Sequence, residues 1–201
     1  MTEITAKFIG AEKTIVSFTG LITEPRGINT EFFNVYKLGY NVIFVSDLSR
    51  SWFNNIDIDK IKSHIQTDEV MCIGNSMGAF NATMFSNYHP VSKVIGFAPQ
   101  YSVHPDIVPW EPRWTGLRKR INYSRCKEMQ FADSTDYLFI AGSHSHEVNH
   151  INMIPDQQNI SKFVIDGDHG IAAQLKTKEK LYPIIENYLI DKDVSHVEEL
   201  L

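Results

Sequence analysis

Six short apolar segments, each rich in β-branched or aromatic residues and each closed by a turn signal, set the limits on what this chain can fold into. They span residues 14–19, 41–46, 69–73, 93–98, 137–141 and 162–165. Apolar residues run through them continuously instead of alternating, which is the pattern of strands buried on both faces of a parallel sheet. Helix-like stretches separate them at residues 30–38, 58–65, 77–88, 147–153 and 172–189. This alternation predicts an α/β fold: a three-layer sandwich around a mostly parallel sheet of about six strands, joined by right-handed crossovers.

The segments begin 24–28 residues apart, except for one interval of 44. A βαβ unit takes roughly 30 residues, so that interval carries extra chain, an excursion over residues 99–136. It holds four prolines, two tryptophans and two tyrosines, and six Lys or Arg residues lie between Arg113 and Lys127. Its position after a strand predicts a lid-like excursion at the carboxyl edge of the sheet, bordering a site. The tail from Asp191 is polar and is expected to fray.

Composition narrows the function classes. The 201 residues suit a single domain, 1–201. With 24 acidic and 19 basic residues, the formal charge is −5, which argues against a dedicated nucleic-acid binder. Cys72 and Cys126 are the two cysteines, too few for a disulfide scaffold and wrongly spaced for a zinc ribbon. Neither a signal peptide nor a run of roughly 20 apolar residues is visible, so the expectation is a soluble cytoplasmic protein without membrane contact.

Order and spacing then supply the chemistry. Gly74-Asn75-Ser76-Met77-Gly78 follows the third strand directly and opens a helix. A serine in such a strand-to-helix turn presents its hydroxyl outward, its flanking glycines relieve crowding, and the helix start favours developing negative charge. The competing reading is a helix-capping serine in an ordinary turn. After the last strand comes Asp166-Gly167-Asp168-His169-Gly170, a histidine in a glycine-flanked loop suited to general-base work.

The elbow in this setting resembles the α/β-hydrolase superfamily over nearly the whole chain. The resemblance implies a fold of that type, with Ser76 as nucleophile, His169 as base and a carboxylate after the strand at 137–141. There the chain reads Gly142-Ser143-His144-Ser145-His146-Glu147, with Ser145 where the family's aspartate usually stands. Glu147 is the nearest carboxylate and the expected acid. Asp136 precedes the strand, and Asp168 adjoins His169 and is poorly aimed at its ring. A Ser–His dyad is the alternative. The resemblance also implies an oxyanion hole from the backbone amides of Met77 and Leu21, with the Thr19 hydroxyl as an accessory.

His144, His146 and His150 offer metal-ligating side chains at close spacing but lack a further ligand pair, so no metal and no cofactor are expected. Gln100, Tyr101, Trp110 and Arg113, with Trp114, are expected to border the pocket and to suit a sugar ring or an anionic group. The run Phe97-Ala98-Pro99-Gln100 and the Ser-Met-Gly of the elbow are similar to compact hydrolase-like proteins found with bacterial surface-polysaccharide biosynthesis enzymes. The spelling Gly-Asn-Ser-Met-Gly also resembles hydrolases that cleave carbon–carbon bonds in ring-opened aromatics, which carry a large helical lid this chain lacks. Three functions follow as expectations: an esterase acting on a small-molecule or saccharide ester, an acyltransferase using the same acyl-enzyme, and a non-catalytic binding protein of the same fold.

Overall fold

The computed structural model describes residues 1–21, 30–191 and 194–201. Seven strands form one sheet: β1 (Thr2–Lys7), β2 (Lys13–Phe18), β3 (Asn41–Asp47), β4 (Glu69–Asn75), β5 (Lys93–Phe97), β6 (Asp136–Gly142) and β7 (Ile160–Ile165). Their spatial order is β1-β3-β2-β4-β5-β6-β7. All neighbours pair in parallel except β1, which runs antiparallel to β3 with Thr2 opposite Asp47. The helices are a 3-10 helix at Phe33–Leu38, then α1 (Ile58–Lys62), α2 (Met77–Phe85), α3 (Thr115–Arg118), α4 (Ser145–Met153), α5 (Ile171–Thr177), α6 (Leu181–Asp191) and α7 (Val194–Leu200).

The central strands are apolar on both faces because both are covered. In β2, Val16 and Phe18 join the core under α1, α2 and α4, while Ile15 points to the opposite core under α5, α6 and α7. Cys72 and Ile73 of β4 divide in the same way. Alternate side chains of a strand face opposite sides, so a continuous apolar run builds two cores at once.

The sheet is mostly parallel, as expected, with seven strands for the six or so expected; the added one, β1, is an edge strand with one neighbour, and its Ile4 and Ala6 pack on the core. Three expectations about the helices and the tail need correction. The helix expected at 172–189 is two helices, broken where Glu179 takes a left-handed backbone (φ 59). Pro183 then sits in the first turn of α6, where its missing N–H costs nothing. The tail forms α7 and buries Val197 against the second core; residues 192 and 193 lie outside the described residues. The stretch at 30–38 also shortens, to the 3-10 turn. Among the described residues, no helix is long and apolar enough to cross a membrane.

All nine residues of α2 are buried, because the sheet covers one side and the excursion the other. Asn87, just past α2, donates to the Gln130 carbonyl at 2.8 Å, and the Gln130 N–H meets the Met84 sulfur at 3.3 Å. The start of α2 presses against the sheet so closely that two positions admit only glycine. A Cβ at Gly78 would lie 2.2 Å from the Phe18 carbonyl oxygen, and one at Gly74 would lie 2.1 Å from the Gly78 carbonyl oxygen. This contact fixes Ser76 beside the chain leaving β2. Gly78→Ala is therefore expected to lower the unfolding free energy by about 3 kcal/mol, the upper range for overpacking. Gly116→Ala, which meets nothing within 4 Å, should stay within about 0.5 kcal/mol of wild type in the same urea titration. Equal stability of the two variants would refute the close approach.

Candidate active site

The connection from β2 leads outward to β3, and the chain then returns past β2 to β4 on its other side. Connections leave β2 and β4 in opposite directions, and at such a switch point the strand ends open a crevice. A cavity of about 350 Å³ lies there, lined in part by Gly20, Leu21, Glu31, Ser76, Trp114 and His169.

Ser76 occupies the turn between β4 and α2 with φ 57 and ψ −119, a conformation that costs a residue bearing a Cβ on the order of 1–3 kcal/mol. Its N–H is held by the Phe97 carbonyl at 2.8 Å. The hydroxyl makes no capping bond to α2, contrary to the helix-cap reading. It lies instead 2.8 Å from His169 Nε2.

His169 is carried by the loop between β7 and α5. That loop packs against the end of β6 at Gly142, where a Cβ would meet the Gly167 and Asp168 carbonyl oxygens at 2.5 Å. Its other ring nitrogen, Nδ1, is 3.0 Å from Glu147 Oε2. With Nδ1–H donating to the carboxylate, Nε2 is left to accept from the serine hydroxyl. Glu147 stands in the first turn of α4 and is 1% exposed. Its second oxygen, Oε1, accepts from Arg113 Nη1 at 2.5 Å. Burial alone would push the Glu147 carboxyl up, but the hydrogen bonds and charges of His169 and Arg113 outweigh it and hold it below the ordinary range. Asp168 is engaged with the Gly170 N–H at 2.7 Å, and Asp136 is exposed at the opposite end of β6.

Leu21 lines the cavity next to the serine, and Met77 begins α2. Among the described residues, neither backbone N–H has an acceptor. The neighbouring Gly20 N–H is taken by Glu31 Oε2 at 2.6 Å, and the Thr19 hydroxyl turns away to Ser46 Oγ at 3.2 Å, so it is no accessory donor here.

The four residues expected to border the pocket do not line this cavity. Gln100 is fully buried and accepts from Trp52 Nε1 at 2.9 Å. The Tyr101 hydroxyl donates to Glu128 at 3.1 Å. Trp110 packs on His146 and His150, with ring centroids 6.3 and 4.9 Å away. Arg113 is held between Glu111 and Glu147. Arg118 and Arg125 are likewise engaged away from the cavity, donating to the backbone carbonyls of Val103 and Val108 and of Phe53 and Ile56. Trp114 is the excursion's contribution to the cavity, its ring centroid 6.4 Å from that of His169.

Glu31 was missed. It accepts from Gly20 N–H and from Asn75 Nδ2 (3.0 Å), and burial raises its carboxyl despite those donors and the nearby His169. Nothing in its local sequence marks it, because its partners lie in two other segments. Of the three histidines considered for a metal, His144 and His146 lie with ring centroids 5.5 Å apart, His146 also stacks on Trp110, and His150 meets Glu111 Oε2 at 2.9 Å.

No protein-family model matches the sequence, and no curated protein does so significantly. Solved structures do match. The capsule O-acetyltransferase of Neisseria meningitidis serogroup A superposes with a TM-score of 0.64 at 16% identity over 92% of each chain. A structure from a study of carboxylesterases of Nitrososphaera gargenis gives 0.62 at 15% identity, over 94% of this chain and 93% of its own. An α/β-hydrolase enzyme from a sediment metagenome of the Mar Chica lagoon, Morocco, gives 0.55 at 15% identity over 96% of each. By its fold, the chain is an α/β-hydrolase-like protein.

Proposed function

We propose that the chain is a serine hydrolase that cleaves an acyl ester through a covalent acyl-enzyme. The observation that carries this reading is the hydrogen-bonded line from Ser76 Oγ to His169 Nε2 and from His169 Nδ1 to Glu147 Oε2. The serine ends that line in a strained turn at the cavity wall, and a nucleophile, a base and an orienting acid in sequence are what acyl transfer requires.

Ser76 Oγ attacks the ester carbonyl carbon while His169 Nε2 takes the hydroxyl proton. Glu147 stabilises the imidazolium and fixes its tautomer. The Leu21 and Met77 amides are the proposed donors to the tetrahedral oxyanion. Collapse breaks the bond to the alkoxy oxygen, which leaves with the proton from His169. Water, deprotonated by the same nitrogen, then releases the acid.

A second reading, transfer of the acyl group to a hydroxyl acceptor, is favoured by one feature. The nucleophile cavity shares Thr30, Glu31 and Asn75 with a neighbouring cavity of about 430 Å³ that presents Phe32, Tyr182 and Lys176. An acceptor there would lie next to the acyl-enzyme. The similarity in fold to a capsule O-acetyltransferase suits a saccharide in that role.

A fluorophosphonate probe tests the nucleophile. Labelling of the folded wild type should map to the peptide containing Ser76 and vanish in Ser76→Ala; labelling of Ser76→Ala at the wild-type rate would overturn the proposal.

The cavity wall also makes a statement about substrate charge. Glu31 places a carboxylate beside the nucleophile, and Arg113, the cation expected there, is engaged elsewhere. A neutral ester such as p-nitrophenyl acetate should be hydrolysed with a kcat/KM about tenfold above that of p-nitrophenyl succinate, because like charges repel in a partly desolvated site. Glu31→Gln should narrow that ratio, and so should acid pH, since protonation of a carboxyl removes its charge. A ratio unchanged by Glu31→Gln would show that Glu31 does not set the preference.

A further inference from the structure

One cation of the excursion, Arg113, is turned to the acid of the relay instead of the substrate cavity. Glu147 reaches His169 with one oxygen, and its other oxygen would be left without a partner if the side chain had no second contact. A glutamate also has one more torsion than an aspartate, so an unsupported carboxylate would lose the orientation that the imidazole needs. Arg113 Nη1 supplies the contact on Oε1.

An arginine in that place brings a difficulty, because its charge opposes the imidazolium that Glu147 must stabilise. The structure contains the answer in Glu111, which grips the rest of the guanidinium twice, Nε to Oε1 at 2.9 Å and Nη2 to Oε2 at 2.7 Å. Glu111 Oε1 also accepts the Arg113 N–H at 2.8 Å, and Oε2 meets His150 Nε2. Arg118 in turn donates to the Glu111 carbonyl and ties the segment to Val103 and Val108. Glu111 and His150 are almost wholly buried, so water does not substitute for these partners. Counting Glu147, Arg113 and Glu111 together, the charge behind His169 is −1, as it would be with Glu147 alone.

We propose that Arg113 and Glu111 are positioning residues of the Ser76–His169–Glu147 relay: Arg113 fixes the Glu147 carboxylate toward His169, and Glu111 cancels the charge of Arg113 so that Glu147 still acts as an anion. This rests on the serine-nucleophile reading above. It gives the excursion a second task, the support of the acid, alongside the single aromatic wall it lends the cavity. Residues whose contacts lock a catalytic side chain in place act through its geometry without touching substrate.

The test is the pH dependence of the second-order rate of fluorophosphonate labelling in wild type, Arg113→Met, Arg113→Lys and Glu111→Gln, with Ser76→Ala as the control. Arg113→Met should label about tenfold more slowly at its optimum, and Arg113→Lys should recover part of the loss. The acid limb of the profile, where the base is lost to protonation, carries the sharper signature. Its charged surroundings are Glu147 on α4, Glu31 after β2, and Arg113 with Glu111 in the excursion, with His150 beyond. Removing the cation in Arg113→Met stabilises the imidazolium and should move the limb to higher pH. Glu111→Gln leaves the cation uncompensated and should move it to lower pH. A general loosening of the fold cannot shift the limb in opposite directions. Wild-type rates and an unmoved limb in the variants would overturn the proposal, as would a shift of both in one direction. Should Arg113→Met fail to fold, as judged by its circular dichroism melt, the lysine and glutamine variants decide. If Ser76→Ala labels like wild type, the nucleophile reading has failed instead.

Discussion

A carboxylate removed from water needs a partner for each of its oxygens, and the organisation of this site follows from how Glu147 meets that demand. One oxygen is given to His169 and the other to Arg113. The first bond sets the tautomer and tilt of the imidazole, and so directs its far nitrogen at Ser76. The second ties a loop between β5 and β6 to a helix that follows β6. If the cavity hosts the proposed chemistry, its accuracy depends on side chains that never reach the cavity. Leaving any one of them unmatched would cost more than the contact itself is worth, because the orphaned partner is buried.

Backbone packing supplies the other half of the geometry. Gly78 lets α2 press against the end of β2, and Gly142 lets the His169 loop press against the end of β6. Both contacts bring elements from different strands to within reach of one hydroxyl. Ser76 keeps an unfavourable backbone conformation in this vice, anchored by its N–H to Phe97. The strain is localised at the residue whose side chain must stand clear of the helix.

Features encoded by neighbouring residues were legible in the sequence, and features encoded by distant ones were not. The central strands announced themselves because each builds two cores. Ser76 and His169 were legible because glycines and turns beside them bear their constraints. Glu147 was expected as the carboxylate nearest to where the family resemblance implies an acid, and its contact with His169, 22 residues on, depends on the fold. The pocket residues sit in the right segment but turn elsewhere: Trp52 and His150, 48 and 40 positions away, hold Gln100 and Trp110, and Arg113 is shared between neighbouring Glu111 and distant Glu147. Glu31 and Glu111 had no local signature at all. β1 escaped notice because one-sided pairing asks little of composition, and α7 because it packs through one buried valine, Val197, with Val194 and Leu200 only partly buried beside it. The uneven charge also reads differently. Arg113, the excursion's cation expected at the cavity, is paired with Glu111 and Glu147, and the cavity beside Ser76 is lined by the Glu31 carboxyl.

The central claim is that Ser76 carries the acyl group between two half-reactions under the control of His169 and Glu147. Intact-protein mass spectrometry after mixing with p-nitrophenyl acetate and acid quenching at short times tests it most directly. The account predicts one acetyl group per chain, located by digestion on the peptide bearing Ser76, forming far more slowly in Glu147→Gln and not at all in Ser76→Ala. Acetylation at another residue, or ester turnover that survives Ser76→Ala without any adduct, would contradict it.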